Sequence, residues 1–136
     1  MNHTKSIILI VGLLLSSAVC RAGGLSNEWV AIGGNELQGG RQKDIRVNFG
    51  GVVAMIGIQI ARGIDPADGR EYTSHGSCRV DVYDSSGNSV GAAYVPDPDS
   101  GKIIYIRPPS GVYTIRVAGQ VEPQETVHIF TNYAKE

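Results

Sequence analysis

Cysteine, tryptophan and clustered positive charge are all scarce in this sequence. Its 136 residues include two cysteines and one tryptophan, and 12 basic residues stand against 13 acidic ones, for a formal net charge of −1. The lysines and arginines form no run. Because binding to nucleic acid or to anionic lipid needs clustered Lys and Arg, we expect neither partner.

No apolar run is long enough to cross a bilayer, which takes about 20 consecutive apolar residues. The run from Ile7 to Leu15 instead follows a short polar start and precedes small residues, with Cys20 at −3 and Ala22 at −1 of a cleavage site. This arrangement predicts a secretory signal peptide over residues 1–22. We therefore expect a periplasmic or secreted protein with no transmembrane span in its mature form.

Two other fates of the N-terminus stay open. The shortness of the apolar run disfavours an uncleaved anchor, and Val19 disfavours lipid attachment at Cys20, because bacterial lipoproteins carry a small residue at that place. The expected mature chain, residues 23–136, has the length of one domain and retains only Cys78. It can form no internal disulfide, so packing must stabilise the fold.

Helical periodicity is nearly absent, and period-two alternation recurs instead between Gly, Pro, Asp and Asn. Ile45, Val47 and Phe49, for example, share one face, as in a half-buried antiparallel strand. The alternation predicts strands at residues 28–33, 44–49, 52–61, 78–84, 88–95, 102–107, 112–119 and 125–133. Eight or nine short strands at this spacing indicate an all-β antiparallel sandwich of jelly-roll or Greek-key type.

Residues 52–61, VVAMIGIQIA, are apolar on both faces and rich in β-branched side chains. This composition predicts a central strand that is covered on both sides. A buried helix is the alternative, but Gly57 and the β-branched residues disfavour it.

Three loops, DPADG, DSSGN and DPDSG, combine carboxylates with Gly or Pro. The last loop fails the EF-hand pattern, because ligand position 5 falls on Gly101 and position 12 on Pro108. Turn chemistry explains all three loops, since Asp accepts backbone N–H groups two residues on and Gly supplies positive φ. A looser Ca²⁺ site stays open, and no other cofactor is expected. The ligands of such a Ca²⁺ site would be Asp97, Asp99, Asp65 and Asp68.

Catalytic motifs are missing from the chain. His75 and Cys78 in SHGSC could form a nucleophile–base pair or two metal ligands. However, Cys78 shares its predicted face with Val80 and Val82, which indicates burial. No nucleophile elbow, HExxH motif or phosphate loop is present. We therefore expect no enzymatic activity and assign no catalytic residues.

The segment PPSGVYTIRVAG places Gly111 two residues before Tyr113 at the start of a strand. This arrangement resembles the tyrosine corner of Greek-key sandwiches, in which the hydroxyl bonds back to nearby backbone. Together with VDVYDSSGNSV, it also resembles the second half of bacterial pre-peptidase C-terminal domains, over residues 79–119. That resemblance implies a small β-sandwich of the kind that secreted enzymes carry, and it transfers no binding residues.

Trp29, Tyr94 and Tyr105 could form an aromatic platform for sugar rings, although single strand aromatics more often pack across strands. The first hypothesis is therefore a non-catalytic module that binds carbohydrate or protein, with or without Ca²⁺. The second is a structural or assembly component that pairs through an exposed strand edge. A small secreted hydrolase is the third and least favoured.

Overall fold

The computed structural model describes residues 25–51, 53–107 and 109–134, so the predicted signal peptide lies outside the described residues. Within these ranges there are eight strands and one short 3₁₀ helix, Gly34–Gly40, and no helix is long and apolar enough to cross a membrane. Each predicted strand is present, with its ends shifted by a few residues at most. The strands are β1 (Leu25–Gly33), β2 (Lys43–Asn48), β3 (Ala54–Ala61), β4 (Ser77–Tyr83), β5 (Ser89–Val95), β6 (Lys102–Ile106), β7 (Val112–Gln120) and β8 (Thr126–Ala134).

The strands form two four-stranded sheets in which every pairing is antiparallel. The first sheet has the order β1-β8-β3-β6 and the second the order β2-β7-β4-β5. Two packed sheets with this strand order make a jelly roll, the eight-stranded architecture built from two Greek keys. The predicted antiparallel β-sandwich is confirmed.

The core lies between the two sheets, and the period-two alternation builds it. Ile56, Ile58 and Ile60 of β3 point into the core and are almost fully buried. Burial of each such side chain contributes about 1.5–3 kcal/mol of transfer free energy. The opposite face of β3 is also covered, since Met55 is buried and packs against Phe130. The prediction of a strand covered on both faces is therefore confirmed.

The second sheet supplies the other half of the core. Most of its buried apolar side chains come from β2, β4 and β7, whose inward positions alternate with polar outward ones. They are Val47, Cys78, Val80, Val82, Tyr113, Ile115 and Val117, and β5 adds Val95.

Tyr113 forms the predicted tyrosine corner. Its hydroxyl donates a hydrogen bond to the backbone oxygen of Pro109 at 2.9 Å. Gly111 lies between them with a φ of 136°, a conformation that side chains disfavour. The bond fixes the turn into β7, and the Tyr113 ring then packs 5.4 Å from the ring of Phe49 in the core.

The loops gather at the two ends of the sandwich. The end that we call the long-loop end carries the 3₁₀ helix and the connections after β3, β5 and β7. Hydrogen bonds link these connections, such as the bond from the Gly34 N–H to the Glu125 backbone oxygen at 2.7 Å. The opposite end carries the shorter connections after β2, β4 and β6.

Candidate functional site

The three aromatic residues of the predicted sugar platform lie on two different sheets. Trp29 of β1 pairs with Phe130 and is 39% exposed on the outer face of the first sheet. Tyr105 faces the same way from β6, at the opposite edge of that sheet, which is about 14 Å away at the usual strand spacing. Tyr94 lies on the second sheet. The structure does not bring the three rings together, and their role in ligand binding stays a prediction.

The outer face of the first sheet is apolar around Trp29, Met55, Ile103 and Phe130, and we call it the Trp29 face. The Trp29 ring meets the His128 ring edge to face, with 4.9 Å between centroids, and lies 5.9 Å from the Phe130 ring. Burial lowers the pKa of His128, so its imidazole is neutral at pH 7. Trp29 is therefore held by two aromatic neighbours while part of its ring remains exposed.

Strand β1 forms one edge of the first sheet. It pairs with β8 on one side, and its other main contacts among the described residues are with the 3₁₀ helix. Of its nine residues only Glu28 is charged. The nearby edge strand β2 has six residues, including Lys43, Asp44 and Arg46, whereas the edges β5 and β6 contact each other. Charge and coverage protect strand edges from pairing, and β1 has little charge and little coverage by the part of the chain that the structure describes.

Two buried hydrogen-bonding atoms beside the Trp29 face have no partner within the described ranges. Gln59 of β3 lies opposite His128 of β8, and these atoms are Gln59 Oε1 and His128 Nδ1. A buried polar atom without a partner destabilises a fold by about 1–3 kcal/mol. Sequence reasoning missed this pair. A polar residue inside the apolar run 52–61 was the signal that could have found it.

The four predicted metal ligands take part in turns and in one ion pair. In Asp65, Asp68 and Asp97, the Oδ1 atom accepts the backbone N–H two residues later, at 2.8–2.9 Å. The carboxylate of Asp99 pairs with the guanidinium of Arg62. No group of three or more His, Cys, Asp and Glu side chains within the described part of the chain is placed to hold a metal ion. The geometry matches the turn interpretation, and a Ca²⁺ site stays a prediction.

Cys78 is fully buried between the sheets, whereas His75 is exposed on the loop before β4. Burial, and then the negative charge of Glu125, raise the pKa of the Cys78 thiol to about 12. Because the thiolate is the reactive form of cysteine, this thiol is inert at neutral pH. Cys78 is thus enclosed in the core while His75 faces solvent, an arrangement that does not suit a Cys–His pair.

Glu125 is an interior carboxylate that was not predicted from the sequence. It is 1% exposed and accepts the backbone N–H groups of Glu122 at 2.7 Å and Gly76 at 3.3 Å. A Cβ atom at residue 76 would overlap the carboxylate, so a larger residue there would require the Glu125 side chain to move. The sequence signal for its burial was its spacing, because Glu125 lies two residues before Val127 and four before Ile129 and therefore takes the same inward face.

No family model and no curated protein matches the chain. Among solved structures, it is similar to a chain from Bacillus endospore appendages, described as a novel family of disulfide-linked pili, with 12% identity over 83% of this chain and 90% of that one and a TM-score of 0.46. A protein from Sulfurospirillum deleyianum shares 12% identity over 82% of this chain and 98% of its own, with a TM-score of 0.43. A family two carbohydrate esterase from Cellvibrio japonicus shares 10% identity over 82% of this chain and 34% of its own, with a TM-score of 0.42. At these values the similarities carry no conclusion about function, and the resemblance to pre-peptidase C-terminal domains stays a prediction.

Proposed function

We propose that this chain is an exported, non-catalytic assembly component that pairs with a second copy of itself through β1. One observation carries the proposal: β1 is a nine-residue sheet edge with a single charged residue, and it presents a partly exposed Trp29. In an antiparallel pairing of β1 with its copy, the two first sheets would form one continuous sheet across the contact.

The chemistry of β1 suits such a contact. Every second backbone N–H and C=O pair of an edge strand points away from its sheet, and a partner strand supplies hydrogen bonds for these groups. A two-fold axis through the middle of β1 would pass close to Trp29 and set each tryptophan beside its copy. Tryptophan is enriched among the residues that dominate binding energy. The contacts of Trp29 with His128 and Phe130 orient its ring before association, which lowers the entropy lost on binding.

Export and the absence of catalysis belong to the same proposal. Removal of residues 1–22 would leave only Gly23 and Gly24 ahead of β1, so the edge strand would stand at the start of the mature chain. Cys78 is the one candidate nucleophile predicted from the sequence, and its thiol is buried and protonated. These observations support a binding role over a catalytic one.

A sugar-binding role for the Trp29 face is the weaker candidate. It would need further exposed aromatic rings beside Trp29, but Tyr105 stands at the far edge of the sheet and Tyr94 on the other sheet. Stacking on one isolated ring gives little selectivity among sugars.

Sedimentation equilibrium of the mature protein, from micromolar to submillimolar concentration, tests the proposal. Two exposed alanines on edge strands make a matched pair: Ala31 on β1 and Ala92 on β5. We expect a dimer whose Kd rises at least about tenfold with Ala31→Lys, because an edge lysine resists strand pairing, and stays unchanged with Ala92→Lys. A monomer throughout, or equal weakening by both substitutions, would contradict the proposal.

A further inference from the structure

A polar groove lies on the outer face of the second sheet, on the other side of the sandwich from the Trp29 face. We call it the Arg46 groove. It has a volume of about 400 Å³ and crosses β2, β7 and the end of β4, where the turn into β5 closes it. This volume falls within the range of small-ligand sites, which is roughly 300–1,000 Å³. The polar side chains that line it are Arg46, Tyr83, Asp84, Ser85, Thr114 and Arg116.

The two arginines of the groove differ in what they bind. Arg116 donates to both carboxylate oxygens of Asp44, at 2.9 and 3.1 Å, and its guanidinium lies 5.1 Å from the centre of the Tyr83 ring. Arg46 lies opposite Thr114 on the neighbouring strand and has no ion pair or hydrogen bond with any described residue. The guanidinium of Arg116 is therefore fixed in place, and that of Arg46 is available to an anionic ligand.

The other groups of the groove suit a ligand that carries several hydroxyls. Tyr83, Ser85 and Thr114 each bring a hydroxyl that can donate or accept. Hydrogen bonds from Asn88, and from other backbone N–H groups of the turn, lower the pKa of Asp84, so its carboxylate is ionised at neutral pH. An ionised carboxylate accepts hydrogen bonds from sugar hydroxyls.

We propose that the Arg46 groove binds a uronic acid unit of an acidic polysaccharide. The free guanidinium of Arg46 pairs with the sugar carboxylate, because the planar fork of arginine matches two carboxylate oxygens. The hydroxyls of Thr114 and Ser85 and the carboxylate of Asp84 take the ring hydroxyls. This site is separate from the β1 edge, so either role can hold without the other.

The charges of the groove separate this ligand class from its nearest competitors. A phosphate group carries more negative charge than a carboxylate, so the ionised Asp84 on the turn would repel it more strongly. A neutral sugar would leave Arg46 without a counter-charge. A single carboxylate on a polyhydroxyl ring supplies the counter-charge for Arg46 and carries less negative charge than a phosphate.

Isothermal titration of the mature protein tests the site with sodium glucuronate, sodium galacturonate and their oligomers, beside glucose, acetate and inorganic phosphate. We expect a uronate to bind and Arg46→Gln to weaken binding at least about tenfold, through loss of a bidentate charged pair. Thr114→Val should weaken it less, through loss of one hydroxyl. Arg70→Gln, at an exposed arginine on the loop after β3, should leave it unchanged. Added salt should also weaken binding, because the site is open to solvent.

Three results would overturn the proposal. Acetate or phosphate that binds as tightly as the uronate would show a general anion site. Glucose that binds as tightly as glucuronate would show that Arg46 does not read the carboxylate. No heat with any uronate or uronate oligomer, from protein that unfolds cooperatively in a thermal scan, would show that the groove does not bind this class at all.

Discussion

Arg62 and Asp99 form a bidentate ion pair at the long-loop end, with 2.7 Å between Nη1 and Oδ1 and 3.1 Å between Nη2 and Oδ2. Arg62 directly follows β3, and Asp99 belongs to the DPDSG loop after β5. The pair therefore joins two connections that are far apart in the sequence. It also places a guanidinium on the carboxylate that a cation bound in this loop would need.

We expect Ca²⁺ to leave the unfolding temperature unchanged, because Arg62 and a backbone N–H group already engage Asp99 and Asp97. The weakest extracellular Ca²⁺ sites have a Kd near 10⁻³ M, so ~10 mM Ca²⁺ would stabilise even such a site by about 1.4 kcal/mol. Calorimetry with Mg²⁺ at the same concentration is the measurement. A rise specific to Ca²⁺, abolished by Asp97→Asn combined with Asp99→Asn, would show that the loops bind the ion.

The tyrosine corner should contribute measurably to stability. Tyr113→Phe removes the hydroxyl that bonds to Pro109 and keeps the ring in the core, so the free energy of unfolding should fall by about 1 kcal/mol. Tyr105→Phe is the control, because Tyr105 is 56% exposed and should change stability by less than about 0.5 kcal/mol. Urea denaturation measures both. Equal effects of the two substitutions would mean that the corner bond adds nothing.

The buried thiol of Cys78 should make stability fall in alkaline solution. Its pKa is raised to about 12 in the fold, whereas an unfolded thiol titrates near about 8.5. At a pH below that unfolded pKa, both states keep the proton, and the stabilisation that the buried thiol contributes is fully present. Above it the unfolded chain loses the proton first, so stability should decline by about 1.4 kcal/mol per pH unit until the folded pKa is reached.

The control for this pH dependence is Cys78→Ala, which lacks the thiol and shares every other titrating group. Denaturation at pH 7, 9 and 10 should give a shallower alkaline decline for Cys78→Ala than for the natural chain. Parallel declines in the two proteins would show that the thiol ionises in the folded state as it does in the unfolded one. Thiol reagents should also react slowly with the native protein and quickly in denaturant.

Glu125 should be needed for stability although its polar side chain lies in the interior. Glu125→Ala leaves the backbone N–H groups of Glu122 and Gly76 without an acceptor, so the free energy of unfolding should fall by about 2 kcal/mol or more. Glu125→Gln keeps one acceptor oxygen and should lose less. Glu71→Ala, at an exposed acid on the loop after β3, should change little. If Glu125→Ala leaves the free energy of unfolding unchanged, water must replace the carboxylate as the hydrogen-bond acceptor.

The sequence predicted those features of the fold that depend on residues close together in the chain. Alternation along each strand is local, which is why all eight strands could be located from the sequence. The bond from Tyr113 spans four residues, and the Asp65, Asp68 and Asp97 turns span two. Such short-range chemistry leaves a readable pattern.

Features that depend on strand order could not be read in this way. Tyr94 and Tyr105 follow each other closely in the chain, but the connection after β5 sends them to different sheets. The pairing of Arg62 with Asp99 likewise requires two loops to meet at one end of the sandwich. Alternation shows which face a residue takes and does not show which strand becomes its neighbour.

Hydrogen exchange of the β1 amides tests most directly whether this strand edge joins two copies of the chain. The N–H groups of β1 that point away from β8 should exchange quickly in dilute protein and slowly once the protein associates, because the partner strand then bonds them. The amides of β2, the nearby charged edge, should exchange at the same rate in both states. Association that leaves β1 exchange unchanged, or that protects β2 instead, would contradict pairing through β1.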